Sequence, residues 1–339
     1  LDPSVWTSMR FASGFSFAGM YIVCESWLNE KATNETRGQL LSLYMITNLG
    51  GMTAGQLMIS LGQSNSSGLF LLASIMVSIA VVPILVTAGT APSFEAPDRI
   101  SFRRLVQVSP LAVVGMVFVG IVVSMLFGMG SVYGRSIGLN NTQVGYFMAS
   151  ITLGTLALQY PIGRLSDRFD RRVVIFGVAV IAGIAISVAG FFGVDQFISL
   201  FILMLVFGGL LFSLYSLFIA HANDYLPPSQ MVAMSSGLLM INSAGAVIGS
   251  PLAASVIEFV GTRGFMPTIA GFLFLLAGFV LYRMSMRSAV PAEAQGVFVA
   301  IPDASSGVAV NLSPEVEWVM DQDDDDDEND PFKNNPYVN

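Results

Sequence analysis

Nine runs of about twenty residues, each predominantly apolar and bounded by charged or turn-forming residues, constrain this chain more than any other feature. They lie at roughly 5–28, 38–61, 68–88, 110–133, 144–162, 173–194, 197–221, 235–260 and 266–282. A helix of ~20 residues crosses the ~30 Å hydrocarbon layer of a bilayer. Inside that layer every backbone N–H and C=O needs an internal partner, so only helices and closed barrels span it. The runs are long and lack period-two alternation, which favours helices. The expected fold is an all-α membrane protein with about nine transmembrane helices. Composition agrees: 54% of residues are hydrophobic and 11% charged, whereas a water-facing protein is usually about a quarter charged.

The net charge of −8 belongs to one end of the chain. Residues 288–339 hold 12 of the 23 acidic residues and one base, Lys333. They include the run Asp323–Glu328 and a short apolar patch around Trp318. Such a segment buries too little apolar surface to fold alone, and it is expected to be an acidic, disordered cytoplasmic tail. The remaining residues are slightly basic, and their distribution orients the spans. Lys31, Arg37, Arg99, Arg103, Arg104, Arg164, Arg168, Arg171, Arg172, Arg283 and Arg287 fall in loops on one side, against Arg135 and Arg263 on the other. The first side is expected to be cytoplasmic. A lone cysteine, Cys24, excludes an intrachain disulfide, and with a single histidine, His221, it argues against a metal site. No Walker-type phosphate loop is present, which argues against an ATP-driven pump.

The stretch 89–109 is the longest between spans and divides three spans from six. A weak internal repeat crosses it: Ser42, Asn48, Gly51 and Gly55 recur as Ser236, Asn242, Gly245 and Gly249. The two copies fall in spans two and eight, six spans apart, which is the spacing of a parallel six-span repeat. The expected organisation is the remainder of one helical half at 1–88, a cytoplasmic central loop at 89–109, a second half of six spans at 110–287 and the tail at 288–339.

The most specific stretch is Gly163-Arg-Leu-Ser-Asp-Arg-Phe-Asp-Arg-Arg172. It resembles the signature loop of the major facilitator superfamily, matching at Gly163, Leu165, Asp167, Arg168, Arg171 and Arg172. Asp170 stands where that loop carries glycine. Arg10 and Gly14 resemble the R-x-x-x-G of the family's fourth span, Glu35-Thr-Arg-Gly38 the loop that follows it, and Gly245–Pro251 a G-x-x-x-G-P run with Ser250 inserted. Glu25–Asn29, Arg37–Ile46, Gln159–Asp167 and Leu226–Ala233 are similar to the YcaD-like subgroup. The resemblance implies a major facilitator-type bundle in which the nine spans are the family's spans four to twelve, so that three spans are expected ahead of Leu1.

The family resemblance makes Gly163, Asp167, Arg168, Arg171 and Arg172 a conformational gate loop. Asp167 is expected to accept from the free N–H groups at the start of a neighbouring helix, and the arginines to pair with acids or anionic lipid. Arg10 reads as a cavity-lining charge, or as a residue at the outer end of its span with its head in the interface. Glu25 is either a proton-coupling acid or a latch for an arginine of the gate loop, and at roughly 22 Å along the helix it is too far from Arg10 to pair with it. His221 and Asp224 close the seventh span, as a proton relay or an interfacial cap. Gln159, Asn48 and Asn242 are polar groups within apolar spans, serving a cavity or bonds between helices. Gly51, Gly55, Gly245 and Gly249 have the four-residue spacing of close helix packing.

The resemblance implies a secondary active transporter that moves a small solute across the bacterial inner membrane by alternating access coupled to protons, and not an enzyme. The alternative is a sensor or docking protein of the same fold acting through its acidic tail. The spans contain neither a histidine pair nor a convincing acid pair for hydrolytic chemistry. Expected partners are the solute, protons and the bilayer; no nucleic acid and no cofactor is expected, and the chain is expected to be a monomer.

Overall fold

The computed structural model describes residues 2–33, 36–61, 67–86, 101–192, 194–226, 228–286, 295–296, 298–301 and 309. Glu35, most of the central loop, the Trp318 patch and the Asp323–Glu328 run lie outside these residues. Among the described residues there are ten α-helices and no strand. They are α1 (Pro3–Lys31), α2 (Arg37–Met58), α3 (Gly68–Val86), α4 (Phe102–Val108), α5 (Pro110–Ser136), α6 (Asn141–Ser166), α7 (Arg171–Ala189), α8 (Phe197–Asn223), α9 (Pro228–Phe259) and α10 (Phe265–Met286).

Each expected span falls on one helix, and α4 is an additional short helix within the stretch read as loop. Five helices, α5, α7, α8, α9 and α10, are long and apolar enough to cross a bilayer by length and composition. In α3 the apolar part is shorter, Gly68–Pro83.

Helix ends follow local chemistry. Asn140 and Gln143 form a reciprocal capping box at the start of α6. Ser109 caps α5, with Pro110 in the first turn where no N–H is needed. Tight turns at Gly138 and Gly261 use φ of 95° and 89°, which a side chain would strain.

The core is built from α5 to α10, with α5 packed along α9, α6 along α8, and α7 against both α8 and α10. Close approach at two of these seams depends on glycine. A Cβ on Gly245 or Gly249 of α9 would strike the carbonyls of Val117 and Ile121 on α5. A Cβ on Gly154 would strike the Leu205 carbonyl, and one on Gly208 the Ile151 carbonyl, where α6 crosses α8. Ser250, the residue inserted into the glycine–proline run, ties α9 to α5 through a 2.7 Å hydrogen bond with Ser124. Gly51 and Gly55 are different: nothing stands near a Cβ at either position, so among the described residues they make no such seam.

Outward-facing positions are apolar. Phe11, Phe15, Phe70, Phe191, Ile198, Val247 and Phe259 are exposed, as are most large side chains of α3. A surface of this kind is far larger than the apolar patches water tolerates and is suited to lipid.

Candidate functional site

The loop between α6 and α7 sits at the end of the bundle that also carries the start of α2 and the end of α8, here called the basic end. Arg171, the first residue of α7, is 1% exposed. A guanidinium without water needs a full set of acceptors. Its Nη1 donates to Asp224 Oδ1 at 2.5 Å, its Nε to Ser166 Oγ at 3.0 Å, and its Nη2 to the Gly296 carbonyl at 2.7 Å. A longer ion pair of 3.5 Å reaches Asp167 Oδ1. Asp224 is drawn in from the end of α8 and accepts a further hydrogen bond from the Gly296 N–H at 3.1 Å. Burial raises its carboxyl to about 6, although the nearby Arg171 charge pulls the other way.

The N–H groups at the start of α7 are capped by Asp170, not by Asp167. Asp170 Oδ1 accepts from the Arg172 N–H at 3.0 Å, and its carboxylate also pairs with the Arg172 side chain at 2.9 Å. Asp170 has a φ of −51°, so the position where the family loop carries glycine makes no left-handed turn and aspartate fits it without strain. Burial would raise the Asp170 carboxyl, but its hydrogen bonds and charge contact with Arg172 outweigh that and lower it. Arg168 is exposed.

Asp167 faces another partner. Its Oδ1 accepts from the Phe298 N–H at 2.8 Å. Residues 295–296 and 298–301 therefore belong to the folded body, which corrects the expectation of disorder for this part of the tail. The reason is local: Phe298, Val299, Ala300 and Ile301 form an apolar stretch that a tail-wide composition dilutes. Phe298 lies over Gly163, where a Cβ would overlap its ring. Val299 and Ala300 pack with Leu41, Met45 and Leu49 of α2. Ile301 is buried, and its N–H and carbonyl both meet Ser216 Oγ of α8 at 3.2 Å. Gln159 Nε2 of α6 donates to the same Ser216 oxygen at 3.0 Å.

This strap fills a cleft. Toward the opposite end α2 lies directly on α6, with Thr53 and Thr152 hydrogen-bonded at 2.8 Å and Gly145 against the carbonyl of Gln56. Toward the basic end the strap stands between α2 on one side and α6 with α8 on the other. From Asp224 to Ser216 is eight residues of helix, so the strap reaches roughly 12 Å inward.

Other expected site residues are placed as follows. Glu25 is fully buried and accepts from Tyr44 Oη at 2.6 Å, which joins α1 to α2. Asn48 donates to Tyr21 Oη at 3.2 Å and supports the same pair of helices. Asn242 lies on α9 against Gly120 of α5. His221 meets the Tyr225 ring edge-on at 5.3 Å, beside a hollow lined by Leu111, Arg172 and Arg283. Arg10 is exposed on α1, and no ion pair reaches it among the described residues. The structure thus joins Gly163, Asp167, Arg171, Asp224 and Gln159 around the strap, and leaves Arg10 apart. Ser166, Ser216, Gly154 and Gly208 were not singled out from sequence, because a lone serine or glycine in an apolar helix carries no spacing signal. Among the described residues no cluster of histidine, cysteine and acidic groups could hold a metal.

The sequence profile of the Major Facilitator Superfamily matches residues 111–314. An MFS-type transporter of Escherichia fergusonii, YcaD, is 28% identical over 275 residues, covering 80% of this chain and 71% of that protein. YcaD of Shigella flexneri serotype 5b is 28% identical over 286 residues, 84% of this chain and 72% of that one. YcaD of Salmonella paratyphi B is 30% identical over 255 residues, 75% and 65% of the two chains. No solved structure gives a significant match. The profile covers more than half of the chain, and the relatives extend the likeness into the helices ahead of it. With its apolar outer surface and helical bundle, this chain belongs to the Major Facilitator Superfamily: it is a membrane-embedded, YcaD-like transporter of a small molecule and not an enzyme.

Proposed function

We propose that the chain moves its solute by alternating access through the cleft between α2 and the α6–α8 pair, in a bacterial inner membrane with the basic end and the C-terminus cytoplasmic. In this reading nine helices cross the bilayer: α1–α3 belong to one half, α5–α10 form the other, and the stretch 89–109 links them. The observation that carries it is the contrast along α2. One end is closed onto α6 by Thr53 and Thr152, while at the other end the helices are held apart. A cleft shut at one face and parted at the other is what one state of a rocking pair requires.

Asp167, Arg168, Arg171, Arg172 and Gly163 act as the gate loop, and the Arg171–Asp224 pair is remade as the cleft opens and closes. Protons couple to transport through acidic groups that change burial between states, for which Asp224 and Glu25 are the candidates and His221 is a relay. Gln159 lines the path of the solute, Asn48 and Asn242 serve the packing of neighbouring helices, and one chain suffices for transport. The test is solute flux into proteoliposomes with and without an imposed pH gradient, for the parent and for Asp167→Asn. Flux should follow the gradient and fall about tenfold in the variant at equal insertion, since a charge-assisted hydrogen bond is lost. Flux indifferent to the gradient removes proton coupling; equal flux in the variant removes Asp167 from the gate.

A further inference from the structure

The cleft at the basic end contains a segment of the chain itself. Residues 296 and 298–301 are bound there by hydrogen bonds and by apolar contact. Gly296 is held through both of its backbone groups: its carbonyl accepts from Arg171 and its N–H donates to Asp224. The Phe298 N–H is taken by Asp167, and the Phe298 ring rests on the bare backbone of Gly163. Val299 and Ala300 cover the apolar face of α2 formed by Leu41, Met45 and Leu49. Ile301 exchanges two hydrogen bonds with Ser216 and is 5% exposed.

These contacts involve the groups a moving gate has to use. Asp167 and Arg171 give hydrogen-bonding capacity to the strap instead of to an opposing helix. Gln159 and Ser216, the polar groups on the cleft wall, are closed over by Ile301. A segment held through backbone hydrogen bonds at Gly296, Phe298 and Ile301 and through its apolar side chains competes directly with anything else that would fill the cleft.

We infer that residues 295–296 and 298–301 are an autoinhibitory plug: this strap closes the cleft between α2 and the α6–α8 pair at the basic end, and it must withdraw before solute can pass. The inference rests on the cleft proposed above as the transport path. It assigns a regulatory role to a part of the tail, since whatever draws the strap out of the cleft opens it.

Water access to the cleft wall tests this without any knowledge of the solute. In the full chain with Cys24→Ser, a cysteine is placed at Gln159→Cys and its reaction with a maleimide is timed in membranes opened to both aqueous phases. Two further chains carry Phe298→Glu, or end before Gln295; size-exclusion elution and melting temperature verify that they remain folded. Labelling of Cys at 159 should be about tenfold faster in both, as expected when a closed segment becomes an open one. Equal labelling in plugged and unplugged chains overturns the plug. Faster labelling with the truncated chain but not with Phe298→Glu overturns the assignment to the strap and points to residues beyond it. These rates are read independently of flux, so a transport path elsewhere in the molecule shows as normal flux in the plugged chain while the labelling result stands.

Discussion

Thr53 of α2 and Thr152 of α6 share a 2.8 Å hydrogen bond that holds the two helices together beyond the inner end of the strap. One turn along α2, Leu49 already belongs to the cluster that packs with Val299 and Ala300 of the strap. Two helices that touch through a pair of hydroxyls and then part leave a wedge-shaped space. The strap occupies that space, with Asp167, Arg171 and Asp224 at its outer end.

The Arg171–Asp224 pair is buried, with the two side chains 1% and 2% exposed. Removing one partner strands the other, so Arg171→Met or Asp224→Leu alone should each cost about 3–5 kcal/mol at neutral pH. The double variant Arg171→Met/Asp224→Leu should recover most of the loss. Unfolding of the purified protein in a denaturant series, read as a double-mutant cycle, measures this. Additive single effects would mean the pair is not coupled.

Asp170 caps α7 in place of a glycine. Asp170→Ala should destabilise by about 1 kcal/mol, whereas Asp170→Gly should cost only a few tenths. A shift in melting temperature that is the same for both variants would assign the residue's value to its Arg172 ion pair and not to the cap.

Asp224 predicts a pH dependence. Its carboxyl lies at about 6, raised first by burial and further by Asp167, against the opposing pull of Arg171 and the Gly296 N–H; its ordinary value is 3.8. Between these values the folded chain keeps a proton that the unfolded chain has released. The group's stabilising contribution is therefore complete below its ordinary value and is lost as pH rises through the folded one. Measured from pH about 4 to about 7, the parent should lose stability relative to Asp224→Asn, which cannot titrate there. Parallel curves for the two proteins would show that Asp224 does not titrate in this range.

The glycines divide into two groups with opposite expected signs. Gly249→Val and Gly154→Val push a side chain into a facing backbone and should cost at least about 1–3 kcal/mol. Gly51→Ala and Gly55→Ala meet open space and should gain about 0.5–1 kcal/mol each from better helix propensity. Loss of stability in both groups would show that α2 has a close neighbour at Gly51 and Gly55.

The contrast shows what a linear reading reaches. Apolar run length located nine long helices among the described residues, because each run is bounded by charged or turn-forming residues. The pattern at Gly245 and Gly249 also signalled a real seam, but the same pattern at Gly51 and Gly55 did not, since spacing marks a face and not what covers it. In the signature loop the charged residues were legible and their partners were not. Asp170 and Asp167 are three residues apart, and the fold makes the first the cap of α7 and the second the end of α6. The strap does not stand out in composition because its five consecutive apolar residues, Val297 to Ile301, are averaged into an acidic tail.

Arg171 also sets an order of events. It precedes Asp224 by 53 residues, so during synthesis the guanidinium emerges before the carboxylate it depends on. At cellular rates of chain growth the interval is roughly 3–10 s. Over that time the guanidinium lacks the carboxylate that neutralises it, and the buried pair can form only once α8 has been made. Closure of the basic end is thus a late step in the biogenesis of this protein, completed by the strap, which leaves the ribosome after every helix it joins.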